Sequence, residues 1–471
     1  PRFGYLAERR ATSAVAPARA RLRRMTLTQR FRSAAPYVAV FLVAFLAWHA
    51  IIIRNWDIIR PLCLPANLDP ATTEVSFDNW DYQKCGNVIH GADTQEYYSY
   101  LHNYPDTLPG LTKALTDGKL FQGQIATEYY KRPLYGFFSS ITTIVIHSVT
   151  GRTTPDRIYD ILALYAALAT TLCFAMLRQC SWRLLPSLFG TFCLATSYAW
   201  FSILFVPESY SLSLAATLLV LNSGIALQNR MTRNGTVSLR CAVGHSILVA
   251  VASWIYLPAF GAIAFLLGIK TRIFTNNIRL LWLVLTACIL TLMPQIVYNY
   301  IFSGSISIQN EFSYGSQWGG IVNFISVEYL INVPSAFIIF SILPSSLNLL
   351  HVGGGIDWVS IFSDWRLTSM LVASFAITCI GIAFVWKRRD RRLLPFLLWL
   401  VGLIAFHIYF NPAEVLLYNS VPFAVVAGLV ARSATLRTAP RTPPGVMAAG
   451  VVVALAVAAV NVAVVMTGIS Y

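Results

Sequence analysis

Long apolar runs recur along the chain, and they constrain its fold more than any other feature. Tyr37 to Ile53, Leu184 to Phe205, Leu280 to Ile301, Leu367 to Trp386 and Val446 to Thr467 approach or exceed the roughly 20 residues that cross a hydrocarbon core as helix. The ten-residue alternating patterns of a membrane barrel do not occur in the sequence. In lipid each segment must satisfy its own backbone N–H and C=O groups, which leaves the helix as the spanning element. The composition agrees: 56% of residues are hydrophobic and 12% charged, about half the charged fraction of a soluble domain. The chain therefore reads as an all-α polytopic membrane protein.

Charge sets the expected orientation. The net charge of +15 does not point to nucleic acid, because the basic residues gather in short segments between apolar runs, where the positive-inside rule accounts for them. Residues 1–35 carry nine arginines and read as a basic cytoplasmic segment that meets anionic lipid. Further cytoplasmic marks are Arg178 with Arg183, Arg230 to Arg240, Lys270 to Arg279, Lys387 to Arg392, and Arg432 to Arg441. Counting crossings between these marks predicts two short spans, or a re-entrant pair, over residues 241–269, turning around Tyr256 to Pro258. It also places Tyr329 to Leu350, interrupted by Pro334 and Pro344, as an interfacial or hairpin helix in an outer loop. The expected organisation is a first span at 36–53, an outer loop at 54–133, spans through 134–302, a second outer loop at 303–366 and final spans through 367–471. That amounts to about 11–13 spans. Multi-pass insertion in a bacterial inner membrane, with the N-terminus cytoplasmic, is the expected location.

The loop after the first span is unusual for such a protein. It holds ten of the twenty acidic residues, and a carboxylate-rich loop at one membrane face favours acid–base chemistry or substrate capture there. Its densest stretch is Gly91-Ala92-Asp93-Thr94-Gln95-Glu96-Tyr97-Tyr98-Ser99-Tyr100. On a helix beginning near Asp93, one face pairs a carboxylate with aromatic rings suited to a sugar; the same aspartate serves equally well as an acidic N-cap. Downstream, Lys131-Arg132-Pro133-Leu134-Tyr135 sets two cations and an aromatic ring before an apolar helix, where a lipid phosphate would lie and where ordinary snorkelling side chains also lie. Glu208 after Pro207, and Glu414 in Asn411-Pro412-Ala413-Glu414, place carboxylates at outer span edges, open to substrate contact or to helix capping. Six of the eight cysteines lie in or beside apolar runs as small core residues, while Cys63 and Cys85 share the first loop and are open to pairing there.

The order of these elements resembles the polytopic GT-C glycosyltransferases, in particular the clan of protein O-mannosyltransferases and lipid A aminoarabinose transferases. The resemblance runs from Asp93-Thr94-Gln95-Glu96-Tyr97-Tyr98 through Gly118-Lys119-Leu120 and Lys131-Arg132-Pro133-Leu134-Tyr135 to Pro207-Glu208. It continues with Pro294-Gln295-Ile296-Val297-Tyr298-Asn299 and ends with Tyr418-Asn419-Ser420-Val421-Pro422. It implies a GT-C-like bundle whose large first outer loop carries amphipathic helices. It also implies inverting transfer of a sugar from a polyprenyl-phosphate donor to an acceptor glycan, lipid or protein on the non-cytoplasmic face. Asp93 would be the general base and Glu208 would complete the acidic site, holding a divalent cation if one is used. Glu96, Tyr97, Tyr98, Lys131, Arg132, Tyr135, Asn299 and Glu414 would contact substrate. The chain departs from the mannosyltransferases at Thr94, which stands where they have glutamate, and from the aminoarabinose transferases at Arg132.

A transporter or flippase of lipid-linked glycans is the rival reading. Transporters place ionisable groups near the bilayer midplane on broken helices, often in repeated halves; here most carboxylates lie in loops and no repeat is visible.

Overall fold

A computed structural model describes residues 27–65, 67–69, 105–116, 133–152, 156–204, 209–271, 282–291, 293, 319–347, 356–388, 390–412, 415–435 and 444–468. Among them the chain is helical throughout, with one isolated bridge between Val237 and Thr271 and no sheet. Among the described residues six helices are long and apolar enough to cross a membrane, and seven shorter apolar helices accompany them. The protein is a multi-pass integral membrane protein.

In chain order the elements are α1 (Leu27–Cys63), α2 (Leu108–Thr116), α3 (Pro133–Thr150), α4 (Asp156–Gln179), α5 (Leu184–Ala195), α6 (Tyr198–Phe201), α7 (Tyr210–Asn234) and α8 (Leu239–Ile255). A 3-10 segment, Leu257–Leu266, follows. Then come α9 (Val327–Ile338), α10 (Trp358–Ser363), α11 (Trp365–Arg388), α12 (Leu394–Phe410), α13 (Ser420–Thr435) and α14 (Pro444–Gly468).

Side-chain contacts fix the direction of each helix. Tyr37 packs against Phe174 and Trp56 stacks on Tyr159, so α1 and α4 are antiparallel. Asn222 Nδ2 donates to the Leu172 carbonyl at 2.8 Å and Asn229 Nδ2 to the Gln179 carbonyl at 2.9 Å. Seven residues along each helix separate these two bonds, so α4 and α7 run parallel. The start of α12 joins the same end, where Gln228 Nε2 donates to the Arg392 carbonyl at 2.8 Å. The end of α13 joins it through Trp182 Nε1 and the Ala431 carbonyl at 3.2 Å. One end of the bundle thus collects Arg178, Arg183, Arg230, Arg233, Lys270, Arg392 and Arg432. It is called the basic end below.

Burial separates the centre from the rim. In α7, 83% of the apolar window lies inside the protein, against 11% for α11. The difference explains their sequences. A helix facing lipid has to be apolar, whereas α7 buries Ser211, Ser213, Thr217, Asn222 and Gln228 among protein groups. α7 stops at Gly235, whose φ of +69° caps the helix in the left-handed region while its N–H bonds the Met231 carbonyl.

The chain then doubles back. Val237 N–H donates to the Lys270 carbonyl at 2.8 Å, so α8 leaves the basic end and the 3-10 segment returns to it, with the turn at Tyr256. This is the fold-back expected between the two basic clusters, whether as two short spans or as a re-entrant pair. Its returning limb is 3-10 because it lies tightly on α12: a Cβ on Gly261 would overlap the indole of Trp399, and that indole donates to the Pro258 carbonyl at 2.9 Å. The stretch expected as one interfacial element, Tyr329 to Leu350, is helical only over Val327–Ile338. It then turns through residues 339–347 and buries Val333, Phe337 and Phe340 in a core shared with α10 and α12.

Candidate functional site

The end opposite the basic one receives the last turns of α1, the first turns of α4 and α7, the Tyr256 turn, and the link from α12 to α13. Two polar centres form there.

The first is built on the opening turns of α4. Asp160 is almost fully buried, lies 3.0 Å from His49 Nε2 of α1, and accepts from Arg152 at 3.1 and 3.3 Å. A carboxylate in this position costs desolvation energy unless it is paired, and here it holds two partners. Arg152 Nη1 also lies 3.4 Å from His49 Nε2, so the three side chains form one cluster. One turn before Asp160 on the same helix, buried Arg157 pairs with Asp106 at 3.6 Å. Asp106 precedes α2 and belongs to the acidic stretch that follows α1. The first turn of α4 therefore ties that stretch to the bundle beside Asp160. His147, in the last turn of α3, approaches the Arg152 carbonyl through Nδ1 at 3.2 Å.

The second centre lies around His407, fully buried near the end of α12. Its Nε2 is 3.1 Å from the Tyr256 hydroxyl, and its ring stacks on Tyr418 with centroids 4.9 Å apart. Tyr418 in turn meets Tyr210 edge to face at 5.8 Å. His407 Nδ1 and both side-chain atoms of Asn419 find no hydrogen-bond partner among the described residues. Nearby, an apolar crevice of about 320 Å³ runs between the 3-10 limb and α12, lined by Leu257, Pro258, Gly261, Trp399, Leu403 and Phe406.

Among the described residues no group of three or more His, Cys, Asp or Glu side chains is placed to hold a metal ion. Cys173, Cys180, Cys193, Cys241, Cys288 and Cys379 are unpaired.

Of the residues predicted from sequence, Asp93, Glu96, Tyr97, Tyr98, Lys131, Arg132, Glu208, Asn299 and Glu414 lie outside the described residues, as does the pairing of Cys63 with Cys85. Tyr135 is described, and it is buried in the first turn of α3. Ser139 and Thr142, just after it, meet the Tyr165 hydroxyl, so α3 runs antiparallel to α4. At about 1.5 Å per residue Tyr135 stands roughly 22 Å along α3 from its end at Thr150, and the structure does not bring it to the Asp160 centre. His49, Asp160 and His407 were not singled out by the sequence reading, which concentrated on loops. The available signal was an ionisable residue inside an apolar run, which marks function in membrane helices.

Comparison with family models, with curated proteins and with solved structures returned no match.

Proposed function

We propose that the protein is a membrane glycosyltransferase, taking its sugar from a polyprenyl-phosphate donor and giving it to a glycan, lipid or protein acceptor at the bundle end opposite the basic one. With the basic end and N-terminus in the cytoplasm of a bacterial inner membrane, that end faces outward. The observation that carries the proposal is the concentration of buried ionisable and polar side chains there, with Asp106 of the long acidic stretch tied to Arg157 one turn from Asp160. Membrane proteins avoid such groups unless they act.

In the proposed reaction an acceptor hydroxyl oxygen attacks the anomeric carbon. The bond from that carbon to the phosphate oxygen breaks, polyprenyl phosphate leaves, and the hydroxyl proton passes to Asp93 with inversion. Glu208 completes the acidic site and is the residue to hold a divalent cation if one is used. Lys131 and Arg132 offset the charge of the departing phosphate, and Tyr97 and Tyr98 offer rings to the sugar. Glu96, Asn299 and Glu414 complete the substrate contacts on this reading; Tyr135, buried in the first turn of α3, is not among them.

Purified protein supplied with a panel of polyprenyl-phosphate sugars should release free polyprenyl phosphate. Asp93→Asn should lower that release by about 10²- to 10⁴-fold without changing thermal unfolding. One observation favours the rival flippase: His49 and Asp160 sit within apolar helices rather than in loops, as transporter sites do. No release with any donor, together with movement of such lipids across proteoliposomes, would decide for the flippase.

A further inference from the structure

The segments on either side of α9 and α10 have their polarity inverted. In the 3-10 turn Gly320–Ile325 the polar residue points inward: Asn323 is buried and donates to the Ile408 carbonyl of α12 at 2.9 Å. Gly319, at φ +98°, permits this fold, since a Cβ there would overlap the Asn323 amide. The apolar residues of the same turn point outward, with Ile321 at 78% and Ile325 at 80% exposure, and Val327 continues the surface onto α9. α10 repeats the arrangement. Trp358 Nε1 donates to Asn332 Oδ1 at 2.7 Å on the inner side, while Val359, at 78%, and Phe362 face out.

Water favours the opposite arrangement, and a contiguous exposed apolar surface of this kind marks a contact face. What it contacts follows from its position. Asn323 meets α12 two residues before that helix ends at Phe410, so the 3-10 turn sits at the level where a membrane span terminates. α10 leads through Asp364 into α11, which starts with exposed Trp365 and presents the least buried candidate span among the described residues. The outward surface is thus continuous with the lipid-facing side of α11.

We infer that the 3-10 turn Gly320–Ile325, the first turn of α9 and α10 form a monotopic collar seated in the headgroup–acyl boundary of the bilayer, around the end of the bundle that carries the His407 centre. The partner of this surface is lipid. Apolar side chains of this kind bury about 5–10 Å into that boundary, and the Ser326 and Asp357 caps hold the helix starts in place. The collar's membrane contact lies at 320–331 and 358–365, whereas the later part of α9 packs into protein.

The test places a cysteine at Ile325, at Val359 and, as a mid-span reference, at Val372 of α11, in a chain whose eight cysteines are replaced by alanine. Each is labelled with an environment-sensitive NBD fluorophore and reconstituted in phosphatidylcholine liposomes. At 325 and 359 the emission should shift to the blue and be quenched by lipid brominated near the headgroup more than by lipid brominated deep in the chain. Position 372 should show the reverse order. Quenching by aqueous iodide without lipid quenching would overturn the collar. Protection from both quenchers would also overturn it, in favour of a protein cover. Should the alanine background fail to fold, hydroxyl-radical footprinting of the unaltered protein in nanodiscs decides the same point: slow oxidation of Phe324, Phe362 and Trp365 is expected, and oxidation at the rate of water-exposed side chains sinks the inference.

Discussion

The two ends of the bundle differ in how their polar side chains are satisfied. At the basic end they are directed at neighbouring backbone: Gln228 at the Arg392 carbonyl, Asn229 at Gln179, Trp182 at Ala431, and Arg178 at the Trp182 carbonyl at 2.7 Å. Each bond ties one helix end to the next. Oε1 of Gln179 and of Gln228 has no partner among the described residues, but the amide nitrogen of Gln228 is bonded. At the other end both side-chain atoms of Asn55 and of Asn419, the Ser420 hydroxyl and His407 Nδ1 are buried with no partner among the described residues. An unpaired buried polar group costs about 1–3 kcal/mol. A sequence selected only for stability would replace these residues with apolar ones of similar shape. The difference teaches which end is scaffold and which end retains polarity for another purpose.

The largest effect is expected at the end opposite the basic one, where polar groups are charged and paired. Asp160→Asn removes the carboxylate that holds both His49 and Arg152. Breaking a fully buried ion pair costs about 3–5 kcal/mol. Arg152 is nearly half exposed, so about 2 kcal/mol is expected here. Thermal unfolding in detergent should fall accordingly, and polyprenyl-phosphate release should fall with it. A double-mutant cycle with His49→Gln should show coupling; additive effects would mean that the pair does not act as a unit.

A pair of substitutions to leucine breaks the comparison more directly, because opposite signs are expected. Gln228→Leu strips a bonded cap from the basic end and leaves the Arg392 carbonyl unpaired, which should destabilise by about 1–2 kcal/mol. Asn419→Leu removes an amide with no described partner and substitutes a side chain of similar shape. It should leave stability unchanged or raise it by about 1 kcal/mol, with turnover lowered. Equal losses at both positions would show that Asn419 is structural and that the contrast between the ends is only apparent.

Much of the frame was legible in the sequence. The turn at Tyr256 follows from two basic clusters on one membrane face, which a single span between them would separate, and the structure returns Lys270 to Val237 as that counting requires. The 3-10 form of the returning limb was not legible, because it depends on Gly261 lying against Trp399, far along the chain. Tyr329 to Leu350 reads as one interfacial or hairpin helix, whereas the helix ends at Ile338 and the chain then turns. Hydropathy cannot separate Phe337, which packs against His407, from Ile325, which faces outward, since both are simply apolar. The polar centres were the least legible. His49, Arg152 and Asp160 come from three different elements, and only tertiary packing makes them one cluster. Asp93 and the other loop residues carry a recognisable order along the chain, yet spacing alone does not fix their positions in space.

The smallest expected effect sits on the scaffold side and has a pH signature. Arg392 donates to both oxygens of Asp390 at 3.0 and 2.7 Å, and this hydrogen bonding holds the Asp390 carboxyl below the usual carboxylate range. Because its folded pKa is lowered, the pair contributes stability at pH values above the ordinary carboxylate pKa of about 4. That contribution is lost as pH falls through the lowered folded value. The pair is partly exposed and screened by solvent, so Asp390→Asn should cost only about 0.5 kcal/mol at neutral pH. The difference in unfolding temperature between the two proteins should shrink steadily below about pH 4. A gap that stayed constant to strongly acid pH would mean that the asparagine disrupts the turn before α12 by geometry, and that charge pairing does not close this end of the bundle.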